Sequence, residues 1–111
     1  MDISEDRKAD VVVLALSGKL DASTAKHFED KILTEIDSGD RRFVIDLFQL
    51  SYITSPGLRV LYRVSAKLKE KGGKIVFCRL SEDVKRVFDI VDMVGDFRVF
   101  ITREEAMQNL N

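Results

Sequence analysis

Ser55 is the residue in this sequence whose type and position best suit chemistry. Pro56 follows it directly, and serine before proline is a helix start signal, with serine as the N-cap and proline at the first helical position. A hydroxyl placed there lies near unpaired backbone amides and the positive end of the helix dipole, which suits a phosphate attached to the serine. Most serines at helix starts only cap the helix. The rest of the sequence must therefore decide between capping and modification.

The other reactive side chains do not assemble into a catalytic or metal site. His27, the only histidine, lies inside an amphipathic helix pattern, whereas a serine hydrolase needs a base held against its nucleophile. The turn around Ser55 also lacks the Gly-x-Ser-x-Gly pattern of hydrolases. A single cysteine excludes an internal disulfide, and Cys78 is predicted to be an inert core thiol. Asp46 alone is not a magnesium site, so we expect no enzyme, metal or cofactor here.

Composition limits the classes of protein to which the chain can belong. Its 111 residues, 45% hydrophobic and 33% charged, describe one ordinary soluble domain with a real core. A net charge of −1 gives no overall field that would favour nucleic acid or an anionic membrane. No apolar run is long enough to span a bilayer, and the polar N-terminus does not resemble a signal peptide. We expect a cytoplasmic protein that contacts neither nucleic acid nor membrane.

Strand-like runs and helix-like stripes alternate along the chain. The predicted order is β, β, α, β, α, β, α, β, α, with an antiparallel hairpin first and right-handed crossovers afterwards. The first run could instead be a frayed terminus. The sequence therefore predicts an α/β domain over residues 1–111, with a mixed, mostly parallel sheet of four or five strands and about four helices. The predicted strands cover residues 3–8, 11–16, 42–47, 74–78 and 97–101, and the helices cover about 21–37, 56–71, 81–91 and 103–110.

The apolar stripes also predict which side chains form the core. In the first helix, Glu35 falls on the polar face, opposite the apolar stripe. The predicted apolar face of the third helix consists of Val84, Val87, Phe88, Ile90 and Val91. The residues predicted to be buried are Val13, Leu33, Ile45, Leu61, Val76 and Phe88.

Two predicted strands lead into polar helix starts. Asp21 and Ser23 are both candidate caps after the strand at 11–16, and Ser55 follows the strand at 42–47 through a loop at 48–54. Binding sites in open parallel sheets form at the carboxyl ends of the strands. Asp21 and Ser55 could therefore contribute to one surface.

Five short motifs in order resemble the STAS domain, which sulfate transporters share with anti-sigma factor antagonists. The similarity covers nearly the whole chain and is greatest to the free-standing bacterial anti-sigma factor antagonists. The motifs are Leu16-Ser17-Gly18-Lys19-Leu20-Asp21, Phe43-Val44-Ile45-Asp46-Leu47, Ile53-Thr54-Ser55-Pro56-Gly57-Leu58, Gly72-Gly73-Lys74-Ile75-Val76 and Val84-Lys85-Arg86-Val87-Phe88.

The resemblance implies a phosphorylation switch at Ser55. In the family this turn typically reads Asp-Ser-[Ser/Thr]-Gly, and the serine after the aspartate is phosphorylated by an anti-sigma factor that is also a serine kinase. Ser55 and Gly57 match this pattern, whereas Thr54 replaces the aspartate and Pro56 replaces the second hydroxyl residue. Pro56 also removes one backbone N–H, which would leave a phosphate the amides of Gly57 and Leu58.

The resemblance therefore implies a switch protein that binds an anti-sigma factor when unmodified and releases it when phosphorylated on Ser55. Transcription is regulated through the sigma factor that becomes free. An alternative is a STAS adaptor or a small-ligand module that is never phosphorylated, with weak nucleotide binding possible. The residues predicted to contact the partner are Asp21, Ser23, Thr54, Ser55, Pro56, Gly57, Leu58 and Arg59.

Overall fold

A computed structural model describes residues 1–90 and 97–110 and shows one five-stranded sheet with four helices in the described residues. The strands lie in the spatial order β1-β2-β3-β4-β5. The strand β1 is antiparallel to β2, and the other neighbouring strands are parallel. The predicted mixed, mostly parallel α/β fold is confirmed. The elements are β1 (Asp2–Lys8), β2 (Val11–Leu20), α1 (Ala22–Asp37), β3 (Arg42–Ile53), α2 (Ser55–Glu70), β4 (Lys74–Cys78), α3 (Glu82–Ile90), β5 (Val99–Phe100) and α4 (Arg103–Gln108).

The sheet is covered on both faces, as the continuous apolar runs predict. Alternate residues of β2, β3 and β4 pack against α1, α2 and α3 in the larger core cluster. The opposite residues of the same strands, Val13, Val44 and Val76 among them, pack against Ala106 and Leu110 at the C-terminal end of the chain. Among the described elements, α4 therefore covers the second face, together with Leu110 beyond its end.

Two central strands are longer than predicted. β2 continues to Leu20 and β3 to Ile53, so the segment at 48–54, predicted to be a loop, is almost entirely strand. Their pairing shifts register between Ala15 and Ser17 and again between Gly18 and Lys19. These irregularities break the simple alternation of buried and exposed residues, which hid the strand character of both segments.

Most of the predicted core is confirmed, with three corrections. Val13, Ile45, Leu61, Val76 and Phe88 are all buried. Leu33 was also predicted to be buried, but it is only partly buried against the larger cluster. Ile32 and Ile36 take the inward positions of α1 instead. Ile90 is 76% exposed because it lies on the outer side of the last turn of α3, and Val91 lies outside the described residues.

Glu35 is the third correction, because this predicted surface residue is buried. Burial raises the pKa of its carboxyl group. Lys31 bridges Glu5 and Glu35, with its Nζ atom 2.8 Å and 2.9 Å from their carboxylate oxygens. The neighbouring Glu35 side chain, followed by Lys31 and Arg7, lowers the pKa of Glu5 to about 2. The cluster joins the edge strand β1 to α1.

The lowered pKa of Glu5 predicts that its contribution to stability is lost in acid. A carboxyl group whose pKa is lowered by folding stabilises the protein above its unfolded pKa, and that contribution disappears as pH falls through the folded value. We therefore expect the Glu5 contribution to be lost between pH 4.5 and pH about 2. The free energy of unfolding, measured with urea across this pH range, should fall more steeply with decreasing pH for wild type than for Glu5→Gln. The exposed control Glu70→Gln should follow wild type. Parallel curves for wild type and Glu5→Gln would contradict the assignment.

Cys78 is buried at the end of β4, and burial raises the pKa of its thiol to about 12. A thiol with this pKa is almost entirely protonated at neutral pH, and the thiolate is the reactive form. The structure agrees with the prediction of an inert core cysteine.

Candidate functional site

The starts of α1 and α2 lie side by side at one edge of the sheet. Leu20 and Ile53, the last residues of β2 and β3, are paired in the sheet. The Thr54 amide donates a 3.0 Å hydrogen bond to the Leu20 carbonyl oxygen immediately beyond that pair. The structure therefore brings Asp21 and Ser55 to the same edge, as their positions after strand ends predict.

Asp21, rather than Ser23, caps α1. Its carboxylate accepts hydrogen bonds from the backbone amides of Ser23 at 3.0 Å and Thr24 at 3.1 Å, and the Thr24 hydroxyl accepts one from the Asp21 amide. The Ser23 hydroxyl also donates to the carboxylate at 2.7 Å. That bond, followed by the backbone bonds, lowers the pKa of Asp21, so the cap is ionised at neutral pH. The Ser23 hydroxyl is thus already engaged.

The sequence predicts Ser55 as the N-cap of α2, but in the structure Thr54 takes that position. The Thr54 backbone is extended, and its hydroxyl accepts a hydrogen bond from the Gly57 amide at 3.4 Å. Ser55 and Pro56 become the first two residues of the helix. Both hydroxyl residues could cap, but β3 runs to Ile53 and leaves only Thr54 between strand and helix. Thr54 is therefore held extended by the sheet.

This one-residue shift leaves the Ser55 hydroxyl free. Ser55 is exposed, and its hydroxyl makes no hydrogen bond to any residue in 1–90 or 97–110. The amides of Gly57 and Leu58, by contrast, donate to the side chain and the carbonyl of Thr54. A phosphate on Ser55 would not find these amides free, and the expectation that they bind it is corrected. The positive helix end still favours an anion there.

Gly57 and Leu58 hold the helix start against the sheet. Leu58 is buried. A Cβ atom on Gly57 would lie 2.5 Å from the Leu20 carbonyl oxygen and 3.1 Å from an Ile53 side-chain carbon. Only glycine allows this close approach of helix and strand. Among the predicted partner contacts, Ser23, Ser55 and Arg59 are exposed, and Asp21, Thr54 and Pro56 are partly buried.

A basic groove runs beside Ser55 between α1 and α2. It has a volume of about 290 Å³, and Pro56, Arg59 and Arg63 form one of its walls. Glu29 binds Arg63 through two hydrogen bonds, of 2.7 Å and 3.1 Å, which lower the pKa of the glutamate. Arg59, one helical turn after Ser55, has no ion pair within the described part of the chain. Its guanidinium is available to an acidic partner or to a phosphate on Ser55.

Exposed aromatic side chains on β3 were missed by the sequence analysis. Phe48 and Tyr52 are 58% and 51% exposed on β3, in the segment predicted to be a loop. Exposed aromatic residues are typical of protein interfaces. The signal in the sequence was the recurrence of an apolar residue at every third position, at Leu47, Leu50 and Ile53. These three residues are buried, and the two residues between each pair are exposed.

The described residues contain no cluster of side chains that could bind a metal. His27 is exposed on α1, and residues 1–90 and 97–110 contain no group of three or more His, Cys, Asp or Glu side chains that could hold a metal. No helix of these residues is long and apolar enough to cross a membrane.

The capping residues permit a simple stability test of the shifted helix start. Thr54→Ala should lower the free energy of unfolding by about 0.5–1 kcal/mol, the low end for a lost cap because the Thr54–Gly57 bond is long. Ser55→Ala should change it by less than about 0.5 kcal/mol, as expected at an exposed surface position. Urea denaturation measures both values. A larger loss for Ser55→Ala than for Thr54→Ala would place the cap at Ser55 after all.

Comparison with known proteins then identifies the family, because the family model for the STAS domain matches residues 2–106. The chain belongs to the STAS domain family. BtrV of Bordetella bronchiseptica, named as a candidate anti-sigma factor antagonist, is 34% identical over 106 residues, covering 96% of this chain and 91% of BtrV.

Two solved structures show the same STAS fold. The crystal structure of a candidate anti-sigma factor antagonist from Thermotoga maritima superimposes with a TM-score of 0.92 at 22% identity, covering 97% of this chain and 93% of that one. Bacillus SpoIIAA, a cell fate determinant solved in its phosphorylated form, gives a TM-score of 0.75 at 21% identity over 99% of this chain and 100% of its own. At these identities the likeness concerns the fold.

Proposed function

We propose that this STAS domain is an anti-sigma factor antagonist that is switched by phosphorylation of Ser55. The observation that carries the proposal is the exposed Ser55 hydroxyl, free of hydrogen bonds within the described residues and lying in the first turn of α2. The names of its relatives support the class of partner. The unmodified protein binds an anti-sigma factor with serine kinase activity in the bacterial cytoplasm, and the phosphorylated protein releases it.

The geometry favours Ser55 over the neighbouring Ser23 as the phosphoacceptor. The Ser23 hydroxyl donates to the Asp21 cap at 2.7 Å, so a phosphate there would repel a carboxylate and break the cap of α1. Ser55 has no such task, because Thr54 caps α2. Phosphate can therefore be added to Ser55 without cost to a cap.

Release follows from the charge that phosphate adds. A phosphoserine carries nearly two negative charges at neutral pH. Arg59 lies four residues after Ser55 on the same helix, where side chains are neighbours, so the phosphate would draw the Arg59 guanidinium to itself. The partner would thereby meet a new negative charge and lose a cation.

Thr54 has a defined role at the position where the family usually has aspartate. Aspartate and threonine both cap helices, but threonine brings no charge beside the hydroxyl. The helix start is therefore preserved in this chain, and the local field that a kinase encounters is less negative.

The second candidate function is an adaptor, or a module that binds a small ligand such as a nucleotide. In either case the protein is never phosphorylated. This candidate is favoured by the amides of Gly57 and Leu58, which are already engaged by Thr54, and by the missing N–H of Pro56. These features leave a phosphate fewer backbone donors at the helix start than a typical N-terminus provides.

Incubation with the cognate anti-sigma kinase and ATP distinguishes the two functions. We expect intact-mass analysis to show one phosphate on wild type and on Ser23→Ala, and none on Ser55→Ala. Fragmentation should locate the phosphate on Ser55. A partner that binds the unmodified protein tightly and yet adds no phosphate to it would support the adaptor and overturn the switch.

A further inference from the structure

A second recess lies away from Ser55, at the carboxyl ends of β4 and β5. We name it the β4–β5 pocket. It has a volume of about 560 Å³, within the usual range for small-molecule sites. Its wall is mainly apolar and includes Leu80, Phe88, Val99 and Phe100. Ser55 and the basic groove follow β3, so the two sites use different strand ends.

Arg79 enters this pocket from a backbone conformation that is unfavourable for a residue with a Cβ atom. Its φ angle is +57°, in the left-handed region, and its amide donates a 3.1 Å hydrogen bond to the Phe100 carbonyl oxygen. Non-glycine residues held in this region often belong to functional sites. The conformation directs the guanidinium over the Phe48 ring, 4.3 Å from the ring centroid.

The charge of Arg79 is only partly compensated. Its Nη1 atom lies 3.1 Å from Oδ2 of the buried Asp46, and the same oxygen accepts a 2.6 Å bond from Arg103. Two guanidinium groups therefore share one carboxylate. Nε and Nη2 of Arg79 have no partner in 1–90 or 97–110, and the Arg79 side chain is 37% exposed.

Lys85 adds a second cation at the mouth of the pocket. It is exposed on α3 and forms no ion pair with any described residue. Asp89 also lines the pocket but makes no ion pair with either cation among these residues. An apolar recess with two incompletely paired cations complements an anion that has an apolar body.

We propose that the β4–β5 pocket binds a small amphiphilic monocarboxylate, of the class of medium-chain fatty acids. Its carboxylate lies between Arg79 and Lys85, and its alkyl chain packs along Leu80, Val99 and Phe100. A single negative charge matches this mouth better than a triphosphate, because Asp89 would repel additional charge. The proposal is independent of the function proposed for Ser55.

Titration of the isotopically labelled protein with sodium octanoate, below the concentration at which octanoate forms micelles, tests this pocket. Amide resonances in ¹H–¹⁵N spectra should shift saturably, with one-to-one stoichiometry, at residues 79–80, 85–89 and 99–101. The neutral analogue 1-octanol should bind at least about threefold more weakly, because it cannot pair with Arg79 and Lys85.

A matched pair of variants isolates the role of charge. Lys85→Gln and Arg86→Gln remove one positive charge from adjacent positions of α3, but only Lys85 lines the pocket. We expect Lys85→Gln, and likewise Arg79→Met, to weaken octanoate binding at least about threefold, while Arg86→Gln leaves it unchanged. Asp46 keeps its bond to Arg103 in Arg79→Met, so this variant should still fold. Unsaturable shifts, equal binding of octanol, or equal effects of Lys85→Gln and Arg86→Gln would overturn the proposal.

Discussion

Replacement of Leu61 by alanine is expected to lower the free energy of unfolding by about 2–5 kcal/mol, as for other fully buried leucines. Leu61 lies on the inner face of α2 and is completely buried in the larger core cluster. The surrounding side chains come from several strands and helices, so they cannot all move inward to fill the space that three lost carbon atoms leave. Urea denaturation at constant pH measures the change.

Leu33 provides the matched control for Leu61. It is also a helical leucine, but it is only partly buried at the margin of the same cluster. Leu33→Ala should therefore be less destabilising, because less apolar surface returns to water and the cavity opens to solvent. A loss under about 0.5 kcal/mol for Leu61→Ala would show that the inner face of α2 is misassigned.

The second large effect is expected at Gly57. A Cβ atom there would lie 2.5 Å from a backbone oxygen at the end of β2, so either α2 or the strand must move. Forcing extra atoms into a packed interface typically costs about 1–3 kcal/mol, and we expect Gly57→Ala to fall in this range. The same shift would displace the turn that carries Ser55.

Ser55→Ala is the control for Gly57→Ala, because it adds no atoms and lies in the same exposed first turn. Its expected change of less than about 0.5 kcal/mol separates the effect of the clash from a general sensitivity of the helix start. Equal stabilities for Gly57→Ala and wild type would mean that α2 does not approach β2 as closely as the structure shows.

The element order, the hairpin and the parallel sheet could be predicted from the sequence. The bounds of β4 were also predicted correctly, because its apolar run is short and begins directly after Gly72 and Gly73. The ends of β2 and β3 could not be predicted. They depend on pairing between Leu20 and Ile53, which is a contact between distant parts of the chain.

Glu35 shows the limit of periodicity for the core. Its helical position is polar by residue type, and its burial depends on Lys31 of the same helix and Glu5 of β1. Such a cluster requires three-dimensional placement, which a helical stripe does not contain. The exposure of Ile90 also depends on three-dimensional placement, because no described element covers that side of α3.

The positions of Asp21 and Ser55 at one edge of the sheet were predicted correctly, but the cap of α2 was predicted one residue too late. The meeting of Asp21 and Ser55 at one edge follows from the parallel topology, which the sequence revealed. The choice between Thr54 and Ser55 as cap did not follow, because both residue types are common caps and the end of β3 decides between them. This register difference frees the Ser55 hydroxyl from capping.

The affinity of the purified anti-sigma factor for wild type, Ser55→Ala and Ser55→Asp is the most direct test of the switch. All three proteins should be folded and similarly stable, because Thr54 keeps the cap. Isothermal calorimetry should give equal affinity for wild type and Ser55→Ala. Ser55→Asp should bind at least about tenfold more weakly than wild type, which corresponds to a loss of about 1.4 kcal/mol in binding free energy. Enzymatically phosphorylated wild type should bind more weakly still, because phosphate carries more charge than a carboxylate. Equal affinity of all four forms would contradict the switch and leave Ser55 without a role in partner release.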